Sequence, residues 1–163
     1  MYQFWVFLHL VGVFGLLLTH GVSAGVSLSL RRERDAERVK VLLDLSTWAL
    51  SGFYVSLLVL LAGGITAGFL GHWWGDGWIW AGLGMLVAVM FVMYALATPY
   101  YRRVRQAVGL QTPNQKKKGE VPGPPAPAEE LDRLLRSWQP WLLLAVGVGG
   151  LLVILWLMVL KPF

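Results

Sequence analysis

Two histidines stand inside the first long apolar segment of this 163-residue chain. His9 and His20 lie within residues 4–30, a stretch that contains no Asp, Glu, Lys or Arg. An ionisable side chain at membrane depth is costly unless a partner satisfies it, so it marks a functional site by default. For imidazole the chemistries to consider are ligation of heme or a metal ion, and hydrogen bonding between helices.

The spacing of the two histidines limits how they can act together. They are eleven positions apart in the sequence, which at about 100° per residue places both on one helix face, about 16 Å apart along the axis. Axial ligands of one iron are only about 4 Å apart, since each metal–nitrogen bond is about 2 Å. The pair is therefore predicted to bind two separate cofactors, or to comprise one ligand and one hydrogen-bonded side chain.

Another helix, or a second copy of the chain, must supply the other axial ligand. Counted from residue 4, His9 is about 8 Å below the outer membrane boundary and His20 about 24 Å below it. His72 and Met158 are predicted near the first level, and Met93 near the second. Histidine and methionine are ordinary axial ligands of heme iron, and a homodimer would instead bring His9 to its symmetry mate. The predicted cofactor is heme b, with His9 and His20 as the metal ligands and His72 and Met93 as further binding residues; copper is the alternative.

The competing interpretation of the histidines is structural. Neutral imidazoles would bond across the helices to a backbone carbonyl or to a hydroxyl, such as that of Ser23, Ser51 or Thr66. Interhelical polar contacts of this kind contribute only about 0.6 to 2 kcal/mol, but they are common in membrane proteins.

Membrane-spanning helices must position these residues. The chain is 56% hydrophobic, and its charges fall into separate blocks. Its apolar stretches are long enough to cross about 30 Å of hydrocarbon at about 1.5 Å per residue. We therefore expect an all-α polytopic membrane protein, an antiparallel four-helix transmembrane bundle forming one domain over 1–163, with spans at about 4–30, 45–70, 78–101 and 137–160.

The placement of charge predicts the orientation of the bundle. Thirteen of the fourteen Lys and Arg residues lie in the two connections 31–44 and 102–136. Basic loops remain on the cytoplasmic side, so both termini should be outside. The net charge of +5 then favours anionic lipid headgroups as partners, and a nucleic-acid partner is not expected.

The connections differ in character. Residues 31–44 carry both charge signs at helical spacing, which predicts a short helix or a helical extension. Residues 71–80 form a tryptophan-rich turn typical of the membrane interface, where His72 and Asp76 are close enough to pair. Residues 106–130 are predicted to be a flexible proline-rich linker, and residues 128–136 an amphipathic surface helix.

Short motifs along the chain resemble those of a known family. These motifs are Leu8-His9 in the first span, Gly63-Gly64-Ile65-Thr66 before the tryptophan-rich turn, and the closing Leu157–Pro162. Their order resembles the bacterial domain-of-unknown-function family 2269 of predicted integral membrane proteins. This resemblance implies a multi-pass protein of a bacterial inner membrane and brings no assigned activity. The first helix also resembles those of copper-resistance D proteins and heme-containing membrane protoporphyrinogen oxidases. Phe14-Gly15 replaces their Trp-x-Gly element, and the resemblance implies a heme ligand at His9 only.

Two functions are consistent with these features. The first is a membrane heme b protein in electron transfer or heme handling. The alternative is a non-catalytic structural or accessory subunit that packs into a larger membrane complex. Small-x-x-x-small patterns such as Gly21/Gly25 and Gly64/Gly68, together with Gly149, favour close helix packing. The spans carry no carboxylate dyad, phosphate loop or HExxH motif, and the chain has no cysteine, so hydrolytic and nucleophilic catalysis lack their parts.

Overall fold

The computed structural model describes residues 1–162, and every regular element within that range is helical. This confirms the predicted all-α class. Four long helices are joined by short connections and three short helices. In chain order the elements are α1 (Tyr2–Arg32), α2 (Ala36–Leu70), a one-turn 3₁₀ helix (Trp73–Gly75), α3 (Gly77–Ala107), α4 (Pro113–Lys118), α5 (Ala128–Leu135) and α6 (Gln139–Leu160).

The four long helices are each long and apolar enough to cross a membrane. Their most apolar 18-residue windows have a mean hydropathy of 1.8 in α1, 2.1 in α2, 2.2 in α3 and 2.8 in the segment Ala128–Leu160 that includes α6. A helix satisfies its backbone hydrogen bonds internally, which is the requirement that a hydrocarbon environment imposes. These are the features of a multi-pass membrane protein.

The charged connection after α1 is mostly helical, and only residues 33–35 separate α1 from α2. Asp35 caps α2 by accepting the backbone N–H of Glu37 at 2.9 Å. The Glu33 carboxylate accepts the backbone N–H groups of Asp35 at 3.0 Å and Arg34 at 2.9 Å. These bonds to the ionised form lower the pKa of the Glu33 carboxyl. These hydrogen bonds stabilise the three-residue connection between α1 and α2.

The long helices pack as two pairs. α1 lies against α2 along most of its length, and α3 lies against α6; α1 also contacts α6, whereas α2 and α3 meet at few points. Glycines bring α1 and α2 into backbone contact. A Cβ on Gly63 would lie 2.5 Å from the backbone nitrogen of His9, and a Cβ on Gly12 would overlap the backbone of Leu60. Small residues permit this close approach between membrane helices.

The principal buried core lies at one end of the molecule, the end that carries residues 31–40 and 102–136, called here the basic end. Leu30 of α1, Tyr100 of α3 and Leu135 of α5 are all fully buried there. The segment 128–136, predicted to be an amphipathic helix, contains α5, and Leu131 and Leu135 of that helix are buried in this core. The predicted linker 106–130 contains α4, and the backbone N–H of Ala126 donates to the carbonyl of Ala107 at 2.9 Å.

The opposite end, called here the tryptophan end, is the turn 71–80 together with the first and last residues of the described chain. The Lys161 ammonium lies 4.4 Å from the ring centroid of Trp73 and 4.9 Å from that of Trp78. Tyr2 meets Trp73 edge to face at 5.6 Å. Cation–π and aromatic contacts thus join the start of α1 and the end of α6 to the turn between α2 and α3.

Candidate functional site

His9 faces α2, and its ring makes one defined hydrogen bond there. Its Nδ1 lies 2.9 Å from the backbone carbonyl oxygen of Leu60. A carbonyl only accepts, so Nδ1 carries the proton in this contact, and in the neutral ring Nε2 keeps the lone pair. This tautomer is the one that a metal-ligating histidine adopts when a backbone carbonyl orients it. It is equally the form of a structural histidine that is bonded to a neighbouring helix.

The backbone of α2 provides the surface on which the His9 ring lies. A Cβ on Gly64 would be 2.7 Å from Nδ1 and 3.0 Å from Cε1 of that ring. Only glycine leaves room for an imidazole at this position. Gly63 beside it admits the backbone of α1, so two adjacent glycines accommodate both the main chain and the side chain of His9.

His20 faces a different helix, α6. A Cβ on Gly147 would lie 2.5 Å from His20 Nε2, so the imidazole abuts the backbone of α6. The Nε2 atom is buried and has no hydrogen-bond partner among residues 1–162. Met93 of α3 borders the same glycine, since its Cε would be 3.7 Å from a Cβ there. The structure therefore brings His20 and Met93, predicted at one depth, together at Gly147.

The other candidate ligands lie away from His9. His72 lies in the tryptophan-end turn, where it is exposed and adopts a left-handed conformation with φ of 58°. It follows Gly64 by eight residues, which corresponds to about 12 Å along a helix. Asp76 accepts the indole N–H of Trp78 at 3.2 Å, and the ion pairs within residues 1–162 do not include His72. The Met158 methyl group packs on Gly82 of α3.

The surroundings of the two histidines differ in how they suit a heme ligand. His9 has the tautomer that leaves Nε2 free to ligate. The Nε2 atom of His20 lies close to the α6 backbone at Gly147, so this side of the ring has little room for a bound group. Within residues 1–162 no three His, Cys, Asp or Glu side chains are grouped so as to hold a metal ion. His9 is therefore the residue whose observed hydrogen bond is compatible with holding a heme iron.

The small-residue patterns of the sequence locate only some of the glycines that pack against other helices. Gly21 and Gly25 have nothing of the described chain within 4 Å of an added Cβ, and neither has Gly149. The histidine rings lie instead on Gly64, which a pattern does include, and on Gly147, which none includes. The sequence does contain a signal for Gly12. This glycine lies three residues after His9, so the two share one face of α1 and are expected to meet the same neighbouring helix.

Comparisons with known proteins add no assignment to this geometry. No protein-family model, curated protein or solved structure matches the chain. The resemblance to family 2269 thus stays a prediction based on short motifs.

Proposed function

We propose that this protein is a non-catalytic membrane subunit that packs against the transmembrane helices of another chain. One observation carries the proposal: Gly21 and Gly25, one turn apart on α1, have no neighbour within 4 Å of an added Cβ in the described chain. In lipid, small residues one turn apart form a flat surface that another helix can approach closely.

Two other helices present surfaces of the same kind. Gly84 and Ala88 are exposed on α3, and Ala145 and Gly149 lie one turn apart on α6. The chain uses this device internally, where Gly12 of α1 receives the backbone of Leu60. The outward-facing pairs offer partner helices the same kind of contact.

Residue placement supports a topology for this subunit. The helices would form an antiparallel four-helix bundle in a bacterial inner membrane, with the basic end in the cytoplasm because Lys and Arg are retained there. The tryptophan end would then lie at the outer interface, and both termini outside. Tryptophan rings are enriched at that level of a bilayer.

The test is assembly in native membranes. The double variant Gly21→Leu/Gly25→Leu should abolish the larger species that cross-linking and native electrophoresis detect with the wild-type chain. The matched control is Val22→Leu, an exposed position between them. Because neither glycine has a neighbour at its Cβ position, helicity of the double variant should be unchanged. A wild-type chain that is monomeric in its membrane, or a double variant that assembles normally, contradicts the proposal. A species containing only copies of this chain identifies the partner as itself.

The second candidate function is a b-type heme protein, and the His9–Leu60 hydrogen bond is the observation that favours it. His9 Nε2 would be the axial ligand from this chain, with the other supplied by a second copy or a partner. A bound heme would supply one-electron redox chemistry. Protein purified from heme-replete cells should show a Soret band that disappears in His9→Ala and persists in His20→Ala. A colourless wild-type protein rules this candidate out, and elemental analysis of the sample tests copper.

A further inference from the structure

A pocket of about 490 Å³ opens at the basic end, between the end of α1 and the connection from α5 to α6. Four arginines and two apolar side chains line it: Leu28, Arg31, Arg32, Arg34, Arg136 and Trp141. The volume falls within the range of about 300 to 1,000 Å³ that small-molecule sites occupy. Neither the histidines of α1 nor the outward-facing glycines line this pocket.

Contacts across the chain hold three of these arginines in place. The Arg31 guanidinium donates to the backbone carbonyls of Arg136, at 3.2 Å, and Ser137. Asp132 of α5 bridges two more arginines, with carboxylate oxygens 2.7 Å from Nε of Arg34 and 2.7 Å from Nε of Arg136. The site is thus organised by side chains roughly a hundred residues apart in the sequence, rather than by one flexible basic loop.

Positive charge is in excess in the pocket. Asp132 is the carboxylate paired with its arginines, against four guanidinium groups. Arg32 takes part in none of the ion pairs found within residues 1–162. The nearby Glu33 carboxylate is turned to backbone N–H groups of its own turn. A ligand of this pocket must therefore bring negative charge.

The level of the pocket corresponds to lipid headgroups. Arg31 follows Tyr2 by 29 residues of one helix, a length of about 44 Å. A bilayer together with its headgroup layers is about 40–45 Å thick. The pocket wall is partly apolar. Trp141 is 43% exposed, and its ring lies 6.0 Å from the Arg31 guanidinium. A ligand here meets guanidinium groups on one side and an indole at the acyl boundary on the other.

We propose that this pocket binds the phosphate of an anionic phospholipid headgroup. Guanidinium groups match phosphate oxygens with paired N–H donors, which an ammonium does not offer. The excess positive charge selects an anionic headgroup over a zwitterionic one, whose own cation would be repelled. Basic pockets beside transmembrane helices are suited to such headgroups.

The experiment compares lipid retention by the full chain in nanodiscs of phosphatidylglycerol or phosphatidylcholine, using native mass spectrometry after detergent release. The wild-type chain should retain phosphatidylglycerol and lose phosphatidylcholine. Arg32→Ala/Arg136→Ala should reduce retention about 30-fold, since each juxtamembrane arginine contributes a factor of about five. The control Arg102→Ala/Arg103→Ala removes equal charge from the end of α3 and should retain the lipid.

The outcomes separate the alternatives. Equal losses in both double variants would show general attraction to basic loops and overturn the assignment, as would equal retention of the two lipids. If inorganic phosphate binds the lipid-free protein and displaces phosphatidylglycerol, the ligand of the pocket is a soluble phosphate, and the lipid assignment is overturned. If the double variant does not fold, Arg32→Gln makes the same comparison, because Arg32 has no ion pair to lose within residues 1–162.

Discussion

His9 of α1 donates its Nδ1–H to the backbone carbonyl oxygen of Leu60 on α2 at 2.9 Å, and its ring lies on Gly64. A carbonyl in a helix already accepts the N–H four residues later, and its second lone pair is free to accept from another helix. The contact therefore adds an interhelical hydrogen bond without breaking one within α2. It depends on glycine, since any side chain at residue 64 would displace the imidazole.

Gly63→Ala should destabilise the protein by about 1 to 3 kcal/mol, because the added Cβ would meet the backbone of α1, which cannot rotate away as a side chain can. Gly25→Ala is the control, since the same methyl group there has no neighbour within 4 Å. Unfolding of both variants in mixed micelles with increasing denaturing detergent measures the difference. Equal stability of the two variants would contradict the close approach of α1 and α2.

Substitution by leucine should have different effects on stability at the two histidines. His9→Leu loses an interhelical hydrogen bond and should cost about 0.6 kcal/mol or more. His20→Leu removes a buried nitrogen that has no partner within residues 1–162, so it should be neutral or stabilising, since leaving such a group unpaired costs about 1–3 kcal/mol. The same detergent titration gives both values. If His20→Leu lowers the stability more than His9→Leu does, the Nε2 atom of His20 has a hydrogen-bond partner in the membrane.

Lys161→Gln should loosen the tryptophan end. The substitution removes the cation from between the Trp73 and Trp78 rings, a contact with an expected contribution of about 0.5–1 kcal/mol at an exposed site. Tryptophan fluorescence should shift, and amide exchange at the end of α6 should accelerate. Lys117→Gln, in the exposed helix α4, should change neither signal.

The turn between α1 and α2 should weaken in acid. Backbone N–H groups of Asp35 and Arg34 lower the pKa of Glu33 in the folded chain. The ionised carboxylate therefore stabilises the turn above the ordinary glutamate pKa, and this contribution is lost as the pH falls through the lowered folded value. Amide chemical shifts of residues 34 and 35 should titrate together below the usual glutamate range.

Glu33→Gln should abolish that titration. Glu37→Gln, which removes the carboxylate that pairs with Lys40 at 2.7 Å, should leave it in place. If the amide chemical shifts of residues 34 and 35 change at the ordinary glutamate pKa, their N–H groups do not donate to the Glu33 carboxylate.

The sequence by itself determined the helical class and the four membrane-capable segments. A chain in hydrocarbon must satisfy its backbone hydrogen bonds internally, so long apolar stretches such as 137–160 have few alternatives to a helix. The separation of charged from apolar residues likewise located the basic end and the tryptophan-rich turn. The amphipathic helix at 128–136 followed from its periodicity alone.

Only the tertiary structure decided which surfaces meet. Helical spacing placed His9 and His20 on one stripe of α1, but the packing directs the first to α2 and the second to α6. The glycines in contact, and the pocket that joins Arg31 to Arg136, depend on how each helix is rotated and which helix is its neighbour. Those choices come from shape matching between residues far apart in the chain, which the periodicity of a single helix does not encode.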